Sequence, residues 1–391
     1  MNTSRRTLLK RGLLLPLAPT LLASCAQSDT PTEPPVTTPG PDSSSPVPIP
    51  ASASVIKFPV DHYMHVGAPT EWWWHIGTLK AGDRTFGFEI NAASFQEFGF
   101  TQVMLTDVQE NRHFQRTVGV APPVFDPNSW AEHDPTKPWF VKLGDVSMTS
   151  EQSDPSKDME VTAALVDEAT ATEINFELRL VQEGPPFIVW GNGVTTPPVQ
   201  PTLETNNFYY SLTRLRATGS IVLEGERFEV TGVTWMDHEY GLFGTTKDRP
   251  KWILQDMQLD NGVCISNYSL GQPALDKKIA SMATVQRADG TTYFVESSVK
   301  PTGPTWTSPE SGETYFMEIE VEIPAFEATF IVKSLVDAQE FPLPLGSVYE
   351  GVASALGTFE GVGVSGTAWS EQTLRGPSSV ARGSKSTAPT L

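Results

Sequence analysis

The chain has 391 residues, ten of them Trp, and carries 46 Asp and Glu against 27 Lys and Arg for a formal net charge of −19. That acidity excludes nucleic acid and bare anionic headgroups as partners, because both require basic surface. The length exceeds what one core usually organises, and 33 Pro with 30 Gly favour strands and turns over long helices.

Residues 4–10, SRRTLLK, match a twin-arginine export signal. The apolar stretch from Leu13 to Leu22 is interrupted by Pro16 and Pro19 and is too short to span a bilayer. It runs into LASC, Leu22 to Cys25, which resembles the lipobox of bacterial lipoproteins. Residues 1–25 are therefore expected to direct export by the twin-arginine route, with cleavage before Cys25. Acylated Cys25 would hold the protein at a membrane, facing periplasm or cell exterior, without a transmembrane helix. Cys264 then has no intramolecular disulfide partner. In the strand-like NGVCISNYSL it reads as a small buried hydrophobe rather than a nucleophile. Residues 26–54, rich in Ser, Thr and Pro, read as a disordered tether, and residues 375–391 as a disordered tail.

The first informative strand is APTEWWWHIGTL, residues 68–79. Alternation puts Trp72, Trp74 and Ile76 on one face and Glu71, Trp73 and His75 on the other. Such a strand needs apolar cover on both sides. We read the Trp72 face as core and assign Glu71, Trp73 and His75 to the wall of a ligand-binding mouth. Alternation alone leaves that choice of faces open, and His75 taken singly reads as a structural histidine rather than a base.

Period two continues along the chain. TEINFELRLV sets Ile174, Phe176, Leu178 and Leu180 against Glu173, Asn175, Glu177 and Arg179, and TYFMEIEVEI repeats the pattern from Tyr315 to Ile323. LDNGV at 259–263 and RADGTT at 287–292 carry the Asn-Gly and Asp-Gly pairs of hairpin turns. Pro- and aromatic-rich segments, including residues 121–154 with Trp130, His133 and Trp139, suggest loops that roof a cavity. The expected fold is all-β: two antiparallel barrel- or sandwich-like domains packed together, over residues 55–243 and 244–374.

The stretch VTGVTWMDHEYGLFG, residues 230–244, carries the chemistry. As a strand, it puts Val233, Trp235, Asp237 and Glu239 on one face and Thr234, Met236, His238 and Tyr240 on the other. Two carboxylates two residues apart stand roughly 7 Å from each other at strand rise. The residues leave three roles open: acid–base chemistry, a carboxylate metal site drawing on Asp237, Glu239 and His238, or ion pairs with Arg214, Arg216 or Lys251. A zinc-protease helix fails because Leu242 stands where its second His is needed. Alternation also turns His238 away from the acids, and we expect neither metal nor cofactor. A serine-hydrolase elbow is not supported, because GVSGTAWS at 363–370 lacks the G-x-S-x-G spacing.

EWWWHIGTL, NFYYSLTRLRATGSI, GVTWMDHEYG and the closing YEGVASALGTFEGVGVSGTAWSE stand in the order found in one family. From Phe58 to Glu371 the chain resembles the AttH-like proteins, grouped with the hydroxyneurosporene synthases (carotenoid 1,2-hydratases). The resemblance implies two lipocalin-like β domains and a pocket for a hydrophobic small molecule. Relatives hydrate isolated carbon–carbon double bonds, and many members are labelled only as secreted hydrolases. The hydratases' aromatic–spacer–aspartate acid site falls on Trp235 and Asp237, and their upstream polar-aromatic pair on Phe208 and Tyr210, without the histidine found there. Catalytic candidates are therefore Asp237, Trp235, Glu239 and Tyr210, with Glu71, Trp73, His75, Phe208 and Tyr240 contacting ligand. A buried aspartic acid stays protonated to higher pH, and aromatic faces stabilise a cation, as alkene hydration requires. The expected activity is hydration, isomerisation or cyclisation at a C=C bond of an isoprenoid- or polyketide-like substrate. The alternative is a non-catalytic carrier of a hydrophobic ligand.

Overall fold

The computed structural model describes residues 45–95, 97–195, 200–243, 251–271, 274–343 and 346–374. The expected signal, Cys25, the tether up to residue 44 and the tail lie outside these residues. From Ser45 onward the chain forms one compact unit. Residues 45–54, expected as tether, include a bridge from Ile49 to Thr292 and a single 3-10 turn, Ala51–Ala53.

The fold is all-β, in two antiparallel sheets. The first contains β1 (Thr70–Ala81), β2 (Arg84–Phe95), β3 (Phe98–Asp107), β4 (Arg112–Val120), β5 (Trp139–Leu143) and β6 (Val146–Ser150). It continues with β7 (Met159–Val166), β8 (Glu173–Gln182), β9 (Phe187–Ile188), β10 (Asn207–Leu223) and β11 (Glu226–Gly241). Its order is β4-β3-β2-β1-β11-β10-β8-β7-β6-β5, with β9 on β10. The sheet folds over on one large core, in which Phe88 and Ile90 of β2 meet residues such as Met148 and Phe176.

The second sheet contains β12 (Trp252–Leu259), β13 (Cys264–Leu270), β14 (Ile279–Gln286), β15 (Thr292–Thr307) and β16 (Thr314–Ile323). It ends with β17 (Ala328–Ser334), β18 (Glu340–Leu343), β19 (Gly346–Phe359) and β20 (Val362–Thr373). Pairing of β17 with β19 closes eight of these strands into a barrel, leaving β18 on β19. Closure removes the exposed edges that a long antiparallel sheet would otherwise present. The expected hairpins are present, with Gly262 and Gly290 at φ of +80° and +90° where their turns need left-handed backbone.

A third apolar cluster joins the sheets, with Ile76, Met104, Tyr209 and Trp235 meeting Cys264, Val352 and Trp369. The backbones come close there: a Cβ on Gly87 of β2 would stand 2.5 Å from Val352 Cβ. Cys264 is buried and free, as a small hydrophobe would be.

Strand β1 explains its tryptophans. It lies between β2 and β11, with the first core on one face and the second sheet on the other. Trp73, fully buried, faces the first core, stacked on His238 at 4.3 Å and edge-on to Trp130 at 5.4 Å. Trp72 turns to the opposite face, against Phe95 and Phe243. The inner face is thus the reverse of the one we read from the sequence. Trp73→Ala should cost about 3–5 kcal/mol in chemical denaturation, the usual loss for a buried aromatic. Trp72→Ala should cost less. Small and equal losses from both would show that this face of β1 does not support the core.

Candidate functional site

Alternation along β11 separates two polar clusters. Trp235, Asp237 and Glu239 face the second sheet, while Met236, His238 and Tyr240 point into the first core. Both faces are covered, so a one-residue step moves a side chain from one buried environment to another.

Asp237 is 6% exposed. Its Oδ1 accepts from Ser211 Oγ at 2.6 Å and Trp235 Nε1 at 2.7 Å, and the Tyr209 hydroxyl also bonds to the carboxylate. Burial nevertheless raises its pKa to about 6, against the pull of these donors. Five further carboxyls share the same layer: buried Glu89 of β2, Asp256 of β12 and Glu350 of β19, and partly buried Glu239 of β11 and Glu371 of β20. Burial pushes Glu371 to about 7 and the other four well above the ordinary carboxylate range, with neighbouring carboxylates adding to the rise.

Indoles serve this layer. Trp252 Nε1 donates to Glu371, Trp369 Nε1 donates to Glu350 at 2.7 Å, Trp72 and Asn207 serve Glu239, and Trp74 favours the Glu89 anion. An indole has one donor and no cationic charge, so it orients a carboxyl without forcing it to ionise. Among the described residues, no Lys or Arg forms an ion pair with any of the six. The ion pairs considered from the sequence do not form: Arg214 donates to the carbonyls of Gly262 and Arg287, and Arg216 pairs with Glu183. Both Asp256 oxygens lack a full hydrogen bond, and Asp256 lines a small cleft with Ile76, Trp235, Gln258, Thr367 and Trp369.

The second cluster lies on the other face. Glu71, fully buried, has its Oε1 2.9 Å from His65 Nδ1 and 3.0 Å from His238 Nε2, and accepts the His65 backbone N–H. His238 Nδ1 is 3.0 Å from the Tyr210 hydroxyl, which is 2.6 Å from His62 Nδ1. Tyr240 lies flat between His65, at 3.5 Å, and Phe208, at 4.9 Å. Burial alone lowers His75 to about 3, and neither of its nitrogens has a partner.

The residues expected to line one mouth are therefore divided. Asp237, Trp235 and Glu239 come together between the sheets. Glu71, Trp73, His75, Phe208, Tyr210 and Tyr240 gather instead in the first core. Tyr209 and Ser211, one step along β10 on either side of Tyr210, are the residues that reach Asp237. Glu89, Asp256, Glu350 and Glu371 were not read from the sequence. For Glu371 a signal existed: Trp369 and Glu371 repeat the Trp-x-acid spacing of Trp235 and Asp237 on a second strand.

The AttH-like family pattern matches residues 50–371. No curated protein matches the chain by sequence. Among solved structures, an AttH protein from Nitrosomonas europaea is similar at 21% identity with a TM-score of 0.66, over 84% of this chain and 99% of that one. Kievitone hydratase from Nectria haematococca is similar at 16% identity with a TM-score of 0.62, over 84% of this chain and 97% of that one. The two-sheet architecture is thus shared with both, and the chain belongs to the AttH-like family.

Proposed function

We propose that this chain is an exported, lipid-anchored enzyme that performs acid–base chemistry, hydration foremost, at a C=C bond of an apolar isoprenoid- or polyketide-like substrate. The observation that carries this reading is the layer of six carboxyls, four buried and two partly buried, served by indoles and unpaired with any described cation. Burial raises the proton affinity of such acids, so Asp237, at about 6, can still exchange a proton as neutral pH is approached. A family fold shared with a hydratase supports the same reading. The anchor rests on the twin-arginine and LASC motifs.

In this mechanism Asp237 gives its proton to one alkene carbon, forming a C–H bond and leaving a carbocation on the other. The faces of Trp235 and Trp369 stabilise that cation. Water forms the C–O bond, and its surplus proton passes to the Asp237 carboxylate left by the first step, which restores the acid.

The test is incubation with prenylated phenols and linear polyenes in ¹⁸O-labelled water. A product that gains the elements of one water, with labelled oxygen at the more substituted carbon, is expected. Isomerisation with solvent-derived hydrogen on carbon would retain the acid and reassign the outcome. Tight binding of such compounds without any conversion would identify a carrier and end the enzymatic reading.

A further inference from the structure

The cluster around Glu71 is built differently from the carboxyl layer. His65, Glu71 and His238 each offer one ligand atom, and these atoms lie within 4.8 Å of one another. Each imidazole has a partner behind it. His238 Nδ1 is hydrogen-bonded to the Tyr210 hydroxyl, and His65 Nε2 faces Asp61 Oδ1 at an ion-pair distance of 3.6 Å. An outward hydrogen bond such as that of His238 fixes a histidine's tautomer and aims its other nitrogen at a metal.

From His238 a hydrogen-bonded run leads through the Tyr210 hydroxyl to His62 Nδ1, and His62 Nε2 lies 3.4 Å from Asp154.

We propose that His65 Nδ1, Glu71 Oε1 and His238 Nε2 form a binding site for a divalent transition-metal cation of the zinc class. His238 then donates from Nδ1 to Tyr210, Tyr210 donates to His62 Nδ1, and His62 Nε2–H points to Asp154. His65 keeps its proton on Nε2, towards Asp61. Ligand bonds of about 2.0–2.2 Å in a tetrahedral site need donor atoms about 3.3 Å apart, so the two separations from Glu71, 2.9 and 3.0 Å, open by a few tenths of an ångström, while that between the two histidine nitrogens, within 4.8 Å, adjusts to the same value. Water completes the fourth position. His65 is 16% exposed, which provides the entry path. The site ties the segment before β1 to β1 and β11, on the face of β11 opposite Asp237, and is independent of the proposed reaction.

The test uses purified protein stripped with a chelator and then given zinc. One equivalent should survive desalting and raise the melting temperature, since a cation bound only by the folded state stabilises it. Cobalt(II) in its place should give the visible absorption of a four-coordinate centre. His65→Gln, on a partly exposed segment outside the strands, should lose stoichiometric uptake while keeping its circular dichroism spectrum, as should Glu71→Gln if it folds. Tyr210→Phe should weaken affinity by about 10–100-fold through the lost orienting bond. His133→Gln, at an exposed histidine outside the cluster, should bind normally. No retained zinc in the parent protein, or full uptake by His65→Gln, overturns the proposal and leaves Glu71 simply paired with a protonated His65.

Discussion

An Asp237→Asn variant should lose turnover of a hydratable alkene by roughly 10²–10⁴-fold, the usual range for a general acid, while melting close to the parent protein. The amide reproduces the shape of a protonated carboxyl and cannot release a proton to carbon. Its oxygen can still accept from Trp235 Nε1, and the Ser211 hydroxyl can rotate to serve either amide atom. Stability is expected to hold because no described Lys or Arg depends on this carboxylate. Had Asp237 been paired with Arg214 or Arg216, the amide would have left a buried cation unpaired and lowered stability by several kcal/mol. Steady-state kinetics beside a denaturant titration separate these cases. Unchanged turnover in a well-folded variant would remove Asp237 from the reaction and direct attention to Asp256, whose oxygens line the cleft without full hydrogen bonds.

Much of this arrangement was legible because β structure has a short period. The alternation of residues 233–240 assigned every side chain of that stretch to its observed face, and the Asn-Gly and Asp-Gly turns marked their hairpins. Alternation could not say which face of β1 is inner, because each is apolar and each is covered. Only long-range pairing decides it: β1 sits beside β11, whose His238 brings Trp73 and Glu71 to its own side. The carboxyl layer was harder to see for the same reason. Glu89, Asp256, Glu350 and Glu371 come from four strands spread over most of the chain, and each by itself looks like an outward-facing acid on a half-buried strand. Their burial follows from the second sheet packing on the first, which no local pattern encodes. His62 and His65 escaped notice because they precede β1 in a segment without strand periodicity, where nothing local points to Tyr210 or Glu71.

Stability should fall as pH rises from 6.5 to 8, the reverse of what paired carboxylates produce. A carboxyl whose folded pKa lies above its unfolded value binds its proton more tightly when folded. The stability tied to that proton is complete below the unfolded value and disappears as pH rises through the folded one. Glu371 moves from 4.5 to about 7, because burial outweighs the hydrogen bond from Trp252. Between pH 5 and 8 this one residue is worth on the order of 3 kcal/mol. Asp237, Glu89, Glu239, Asp256 and Glu350 shift in the same direction and steepen the decline. In the metal-free protein His65, raised to about 9 by Glu71 and Asp61 against burial, also loses its contribution with rising pH, between 6.5 and 9. Below pH 6.5 the neutral imidazoles of His75, His113, His238 and His62, all lowered by burial, oppose the carboxyls, because the stability tied to them is lost as pH falls. At the acid end, Glu71 is held low by His65 and His238 despite burial, and Asp158 by Arg179, so both lose stability below about pH 4.5. Urea midpoints at constant m-value should accordingly decline from pH 6.5 to 8. Glu371→Gln, which keeps an acceptor for Trp252 and removes the titrating proton, should flatten the decline. A midpoint that rises from pH 6.5 to 8, or a slope unchanged by Glu371→Gln, would mean that these carboxyls are solvated and would remove the protonated layer on which the proposed chemistry depends.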